Sequence, residues 1–142
     1  MKDDIYSELT SLFFTTRQII RQQLPSKGHA DPNTWLRFET LRFIAASKDP
    51  TMQDVSQYLR IKAPSATSLI SHLAKSCLIS RKGEKGDKRV VRIQLTARGK
   101  KEVKDYARRC ATTMHKAFAK LSDREVKELV AILRHVRDIN RK

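Results

Sequence analysis

Apolar residues recur along this chain with two periods, one near 3.6 residues over most of its length and one of two residues past its midpoint. Ile5, Leu9, Leu12, Phe13, Ile19 and Ile20 fall on one broad stripe and predict a helix over 4–24, ended by Pro25 and the LPSKGHA stretch. Asp31-Pro32 reads as an N-cap and first-turn proline. The helix it opens reaches about Ala46 and turns Trp35, Phe38, Leu41 and Ile44 inward. Lys48-Asp49-Pro50 breaks the pattern, and Thr51 caps a third helix with Asp54 three positions on, the spacing of a capping box. Met52, Val55 and Leu59 face inward there. A turn over 60–63 leads to a helix from Pro64 to Lys75, whose buried stripe is Ala66, Leu69, Ile70 and Leu73. Ser65, Thr67, Ser68, Ser71 and His72 are left facing out.

The period then changes to two. Cys77 to Arg81 reads as one short strand, and Arg89 to Leu95 as a second, with Val90, Arg92 and Gln94 alternating against Val91, Ile93 and Leu95. The KGEKGDK link, with two glycines and five charges, is a hairpin tip in water. Thr96 caps a long helix carrying Val103, Tyr106, Cys110, Met114 and Phe118 on its stripe. Ser122 and Glu125 form a full capping box, opening a last helix on Val126, Leu129, Val130, Leu133, Val136 and Ile139. The expected fold is mainly α with a small β-hairpin: a winged helix-turn-helix flanked by N- and C-terminal dimerisation helices. A chain of 142 residues suits one domain. Within it, 1–47 form dimerisation and scaffold helices, 48–99 the winged helix-turn-helix lobe, and 100–142 the C-terminal dimerisation helices.

Charge gives this outline a direction. The chain carries 30 Lys and Arg against 15 Asp and Glu, a net +15, which favours a polyanionic partner such as nucleic acid or an anionic membrane surface. Residues 51–101 hold 12 of the basic and only 3 of the acidic side chains, so the excess is a placed patch. No apolar stretch approaches the roughly 20 residues needed to span a bilayer, and MKDDIYSEL lacks the basic and apolar regions of a signal peptide. Cys77 and Cys110 match no metal-ligand spacing and read as reduced thiols of a cytoplasmic protein. His29, His72, His115 and His135 match none either, and no Gly-rich loop or nucleophile elbow occurs. The expectation is no catalytic residue, no metal and no cofactor.

The helix at 64–75 has two readings, a solvated polar face or a helix lying in the major groove with its N-terminal side chains at base edges. Its place between a turn and a basic hairpin favours the groove, with Pro64, Ser65, Thr67, Ser68, Ser71 and His72 as contacts. Arg81, Lys82, Lys85, Lys88, Arg89 and Arg92 make the hairpin a DNA-binding wing, with an arginine, Arg89 foremost, entering the negative minor groove. The alternative is an ordinary solvated charge run. Lys62 and Lys75, with Lys100 and Lys101, are expected at phosphates, where contacts orient without choosing sequence. The terminal helices carry more apolar surface than one small domain needs. They pack either within the chain or across a two-fold dimer that sets two recognition helices roughly 34 Å apart.

From Thr51 to Gly99 the sequence resembles the MarR family of bacterial and archaeal regulators, through LISHLAKSCLISRKGEKGDKRVVRIQLTARGK. Leu73, Leu78-Ile79, Arg81, Asp87, Arg89, Leu95-Thr96 and Gly99 fall at that family's spacing. The Asp-x-Arg of the wing and the Leu-Thr-x-x-Gly that closes it are fairly specific together. Two positions depart from the pattern. Cys77 stands where glycine is usual, which asks for a different local backbone. Ser68 stands where arginine is common, which removes a strong donor to bases or phosphates and leaves the target sequence open.

The resemblance implies that Asp87 pairs with Arg89 and directs it, and that N- and C-terminal helices interleave in a homodimer. It implies a pocket for a small aromatic or anionic effector, lined here by Phe13, Arg17, Trp35, Phe38 and Arg42, unless those aromatics are core. The function expected is a cytoplasmic, dimeric, sequence-specific regulator of double-stranded DNA at a pseudo-palindromic operator, a repressor more than an activator. Two rivals stay open: a basic architectural DNA-binding protein with little sequence preference, and a protein-interaction module using the wing.

Overall fold

The computed structural model describes residues 2–23, 33–84 and 87–141, and the side chains within them except those of residues 2, 33, 84 and 87–89. In chain order it contains α1 (Lys2–Gln23), α2 (Asn33–Ala46), α3 (Met52–Leu59), α4 (Ala63–Lys75), β1 (Ile79–Glu84), β2 (Asp87–Leu95), α5 (Ala97–Ala117) and α6 (Asp123–Ile139). The expected cap at Asp31-Pro32 lies outside the described residues. The chain divides into two compact units, Ser26–Arg109 and Met1–Pro25 with Cys110–Lys142.

The core of the first unit is Leu41, Ile44, Val55, Ile70, Leu73, Leu78, Ile79 and Ile93, one cluster drawn from α2, α3, α4 and the hairpin. Each of these helices contributes its 3.6-period stripe, and the hairpin adds the alternate residues of one face. Four of the predicted inward positions, Val55, Ala66, Ile70 and Leu73, are at most 1% exposed. Trp35 is a correction: it shares the helical periodicity of Leu41 and Ile44 yet stands 63% exposed. It lies in the first turn of α2, ahead of the buried positions. Phe38, half-buried, stacks on Tyr106 of α5 at 4.0 Å between ring centroids, and the Arg109 guanidinium lies 5.6 Å from the Tyr106 ring centre.

Local chemistry sets the element ends. The Thr51 hydroxyl accepts the Asp54 amide at 3.1 Å, and the Thr51 amide donates to the Asp54 carboxylate at 2.9 Å. Hydrogen bonding to the Asp54 carboxylate, from the Thr51 amide first and the Thr51 side chain second, holds that carboxyl below the ordinary range, with the positive charge of Arg92 adding to the effect. Ser122 and Glu125 make the same reciprocal arrangement at the start of α6. Arg60 ends α3 in the left-handed region at φ 53°, letting its amide bond the carbonyls of Ser56 and Gln57.

β1 and β2 pair antiparallel, Ile79 opposite Leu95 and Arg81 opposite Ile93, with an irregularity at Gly83/Glu84. The segment before α3, which the sequence presents only as a break, adds to the outer side of β2. Thr51 bridges Arg92, and the Ile93 amide donates to the Pro50 carbonyl at 2.9 Å. The Gln94 amide side chain also donates to the Asp49 carboxylate at 2.8 Å.

β1 begins at Ile79, two residues later than the alternation predicts, because Cys77 takes φ 60° and turns the chain out of α4. The left-handed backbone that glycine suits is therefore taken up here by a cysteine. An exposed cysteine gains no packing to offset that conformation. Cys77→Gly is expected to raise stability by about 0.5–1 kcal/mol in chemical denaturation. An unchanged or lower midpoint would contradict this account of the turn.

The second unit contains α1, the end of α5 from Cys110, and α6. Its long apolar side chains are open to water in the single chain. Ile5 is 63% exposed, Leu12 54%, Phe13 60%, Leu133 47% and Ile139 66%. Tyr6 and Phe14 are also exposed, so α1 is apolar on more than its predicted stripe.

Candidate nucleic-acid interface

α4 is anchored by Ala66, Ile70 and Leu73 and presents the rest of its circumference outward. Of the sequence-predicted contacts, Pro64, Ser65, Thr67, Ser68 and His72 are exposed and Ser71 is half-buried. Pro64 lies in the first turn, and the N-cap residue Lys62 makes no side-chain cap. The amides at this end are thus not closed by a capping side chain, the condition under which a helix N-terminus accepts an anion. The Thr67 hydroxyl donates back to the Ala63 carbonyl at 3.0 Å, which leaves its oxygen able to accept. Lys62 and Lys75 are exposed at opposite ends of the helix.

The wing follows directly. Arg81 and Lys82 are exposed on β1. Arg81 reaches back to α4, its Nη2 donating to the Ser71 hydroxyl oxygen at 2.7 Å, so wing root and helix are joined by a side-chain bond. Arg92 is turned the other way: half-buried, it donates to the Asp49 carbonyl at 3.2 Å and lies near Asp54. Its charge is engaged inside the lobe, apart from Arg81. The backbone at Asp87, Lys88 and Arg89 begins β2, while their side chains and all of Lys85 lie outside the described residues.

The base of the wing is tied by one threonine and one glycine. The Thr96 hydroxyl donates to the Cys77 carbonyl at 2.6 Å and accepts the Gly99 amide at 3.0 Å. The Thr96 amide donates to the Leu78 carbonyl at 3.1 Å. A β-carbon at Gly99 would run into that same carbonyl. The Leu-Thr-x-x-Gly run is thus a clamp that closes the hairpin onto the start of α5.

The residues expected around an effector belong to both units, and each unit's are described by itself. Phe13 and Arg17 are exposed on α1. On α2, Trp35 is exposed, Phe38 is stacked on Tyr106, and the exposed Arg42 is 3.3 Å from the Glu39 carboxylate. Glu39 also accepts from the Tyr58 hydroxyl at 3.0 Å, and the Tyr58 ring stacks on Phe43 at 4.2 Å. Among the described residues no group of three or more His, Cys, Asp and Glu is placed to hold a metal ion, and no helix is long and apolar enough to cross a membrane. Cys77 and Cys110 form no disulfide.

The bonds that sequence reasoning missed join distant positions. Asp49 with Arg92 and Gln94, and Thr96 with Cys77, are separations that periodicity does not reach. The Leu-Thr-x-x-Gly spacing is the one local trace of the clamp.

Residues 34–90 match the model of the MarR family. Among curated proteins none matches the chain. Over nearly its whole length the chain is similar to solved structures. A MarR family protein from Bacillus stearothermophilus is 21% identical at a TM-score of 0.77, covering 97% of this chain and 96% of that one. MepR of S. aureus, solved as a complex with DNA, is 23% identical at 0.65, with 91% and 96% covered. BpsR of Bordetella bronchiseptica, whose DNA binding is regulated by 6-hydroxynicotinic acid, is 19% identical at 0.66, with 94% and 98% covered. The six helices and two-stranded hairpin are the winged-helix architecture of these proteins.

Proposed function

From the match of residues 34–90 to the MarR family model and a fold shared with solved members of that family, we propose that this chain is a MarR family protein and a homodimeric, sequence-specific transcriptional regulator of double-stranded DNA. α4 enters the major groove and the wing the adjacent minor groove, at an operator with two inverted half-sites. The observation that carries this reading is the pairing of α4's outward Ser65, Thr67, Ser68 and His72 with the basic hairpin tied to it through Ser71 and Arg81. A solvated helix face alone needs neither the patch of charge nor the bond.

Two copies are required because the second unit leaves its apolar side chains open to water, and a two-fold partner of the same sequence covers them with the same surface. Occupancy of an operator blocks polymerase, so repression is the default outcome, in the cytoplasm of a bacterium or archaeon. The effector class the reading carries is a small aromatic or anionic molecule, the class to which the 6-hydroxynicotinic acid that regulates BpsR belongs. No metal or cofactor enters the proposal, and it includes no catalytic step.

The test is titration of a duplex at several salt concentrations. Phosphate contacts by Lys and Arg predict that affinity falls steeply as salt rises. Arg89→Ala is expected to weaken specific binding by about 1–3 kcal/mol while leaving the melting midpoint unchanged. Undiminished affinity in that variant would remove the wing from the interface. Binding of equal strength to every duplex would favour an architectural protein, and α4's lack of any arginine, asparagine or glutamine is the observation on that side.

A further inference from the structure

α4 is poorly equipped to read bases by itself. The side chains that make bidentate bonds to base edges in the major groove are Arg or Lys to guanine and Asn or Gln to adenine. The helix runs APSATSLISHLAK, and its basic side chains, His72 and Lys75, lie in its last turn. Thr67 already spends its proton on the Ala63 carbonyl. What remains along the middle of the outward face is hydroxyl groups, which discriminate weakly between bases.

One guanidinium nevertheless lies on this face. Arg81 comes from β1 and donates through Nη2 to the hydroxyl of Ser71, at 2.7 Å. Ser71 sits four residues past Thr67 on the same row of α4. A guanidinium has five N–H donors in a fixed plane, so one bond orients it and leaves four. Arg81 is exposed, and it is paired with no carboxylate among the described ion pairs. A side chain tied to Ser71, one residue before the last turn, travels with the outward face of the helix. Lys62 and Lys75, at the two ends of the helix, are placed for phosphates.

The geometry points to Arg81 as the guanine-reading residue of the recognition surface, supplied by the wing root and aimed by Ser71, a positioning residue. This rests on the proposed function, since it presumes that α4 enters the major groove. Base selection then depends on the hairpin's register as well as on the helix, because Arg81 is placed opposite Ile93 of the core.

The experiment uses the full-length protein and a duplex of about two helical turns carrying the inverted repeat that the wild type enriches from a random pool. Each G·C pair of the half-site is changed to A·T in turn, and affinity is measured by fluorescence anisotropy. In the wild type one such change is expected to weaken binding about tenfold or more. In Arg81→Ala, which removes every donor that could reach the base, that penalty should shrink to within about twofold while penalties at other positions persist. Ser71→Ala should reduce the penalty at the same position only, with an unchanged melting midpoint and unchanged dimer. Uniformly weaker binding by Arg81→Ala with every base penalty intact would make Arg81 a phosphate contact and overturn the inference. A wild type that enriches no repeat fails before any variant is compared, and that outcome removes the proposed function along with this inference.

Discussion

Replacing Gly99 by alanine is expected to lower stability by about 3 kcal/mol, on the order of 10 °C in the melting midpoint. The added methyl meets the Leu78 carbonyl oxygen, and that oxygen is not free to retreat. It accepts the Thr96 amide at 3.1 Å, while the Thr96 hydroxyl holds the Cys77 carbonyl one residue earlier. Relief of the collision therefore opens the clamp between hairpin and α5, and Leu78, 4% exposed, moves with its own carbonyl. Gly83 is the control. Nothing lies within 4 Å of the β-carbon position there, so Gly83→Ala should leave the midpoint unchanged. Differential scanning calorimetry of the two variants separates collision from any general intolerance of alanine for glycine. Equal midpoints would contradict the clamp.

Leu133→Asp is expected to convert a dimer into monomers and to weaken specific DNA binding by about a hundredfold or more. Leu133 is 47% exposed in the single chain, on a helix whose Val130, Val136 and Ile139 are also open. In an isolated chain a carboxylate at that position would be solvated and nearly neutral for stability. Inside a two-fold interface it would be desolvated, unpaired and present twice, at a cost of about 3–5 kcal/mol for each uncompensated charge. Sedimentation at micromolar concentration reads the oligomer directly. The expected result is a 16.4 kDa species for the variant and twice that mass for the wild type. Two half-sites bound by separate monomers lose the advantage of linkage, so duplex affinity should fall by about a hundredfold or more. A variant that stays dimeric would place the interface elsewhere than α6.

What the sequence conveyed of this fold was what is local or periodic. The buried stripe of α4 follows from spacing alone, because Ala66, Ile70 and Leu73 recur on one side of a 3.6-residue helix. The caps at Thr51 and Ser122 were legible because a capping box is complete within four residues. Trp35 misleads because periodicity assigns a direction and not a depth. Thr40 and Thr113 are buried although a polar pattern sends threonine outward; Thr40 satisfies its hydroxyl on the Leu36 carbonyl at 2.7 Å, which removes the cost of burial.

In the candidate interface, charge density marked the wing, but charge does not separate its arginines. Arg81 lies against α4 through Ser71, whereas Arg92 lies against Asp49, and the difference is set by partners 10 and 43 residues away. Alternation along a strand places both side chains without naming either partner. The departure at Cys77 was visible in sequence, yet only the φ of 60° shows that the cysteine takes the left-handed backbone.

The central claim is that two copies of this lobe read an inverted repeat. Its most direct measurement is selection of bound duplexes from a random pool at near-physiological salt, followed by sequencing. The account predicts enrichment of an inverted repeat with half-site centres about 10 base pairs apart. Tight binding with no enriched repeat, or no binding at all, would contradict it.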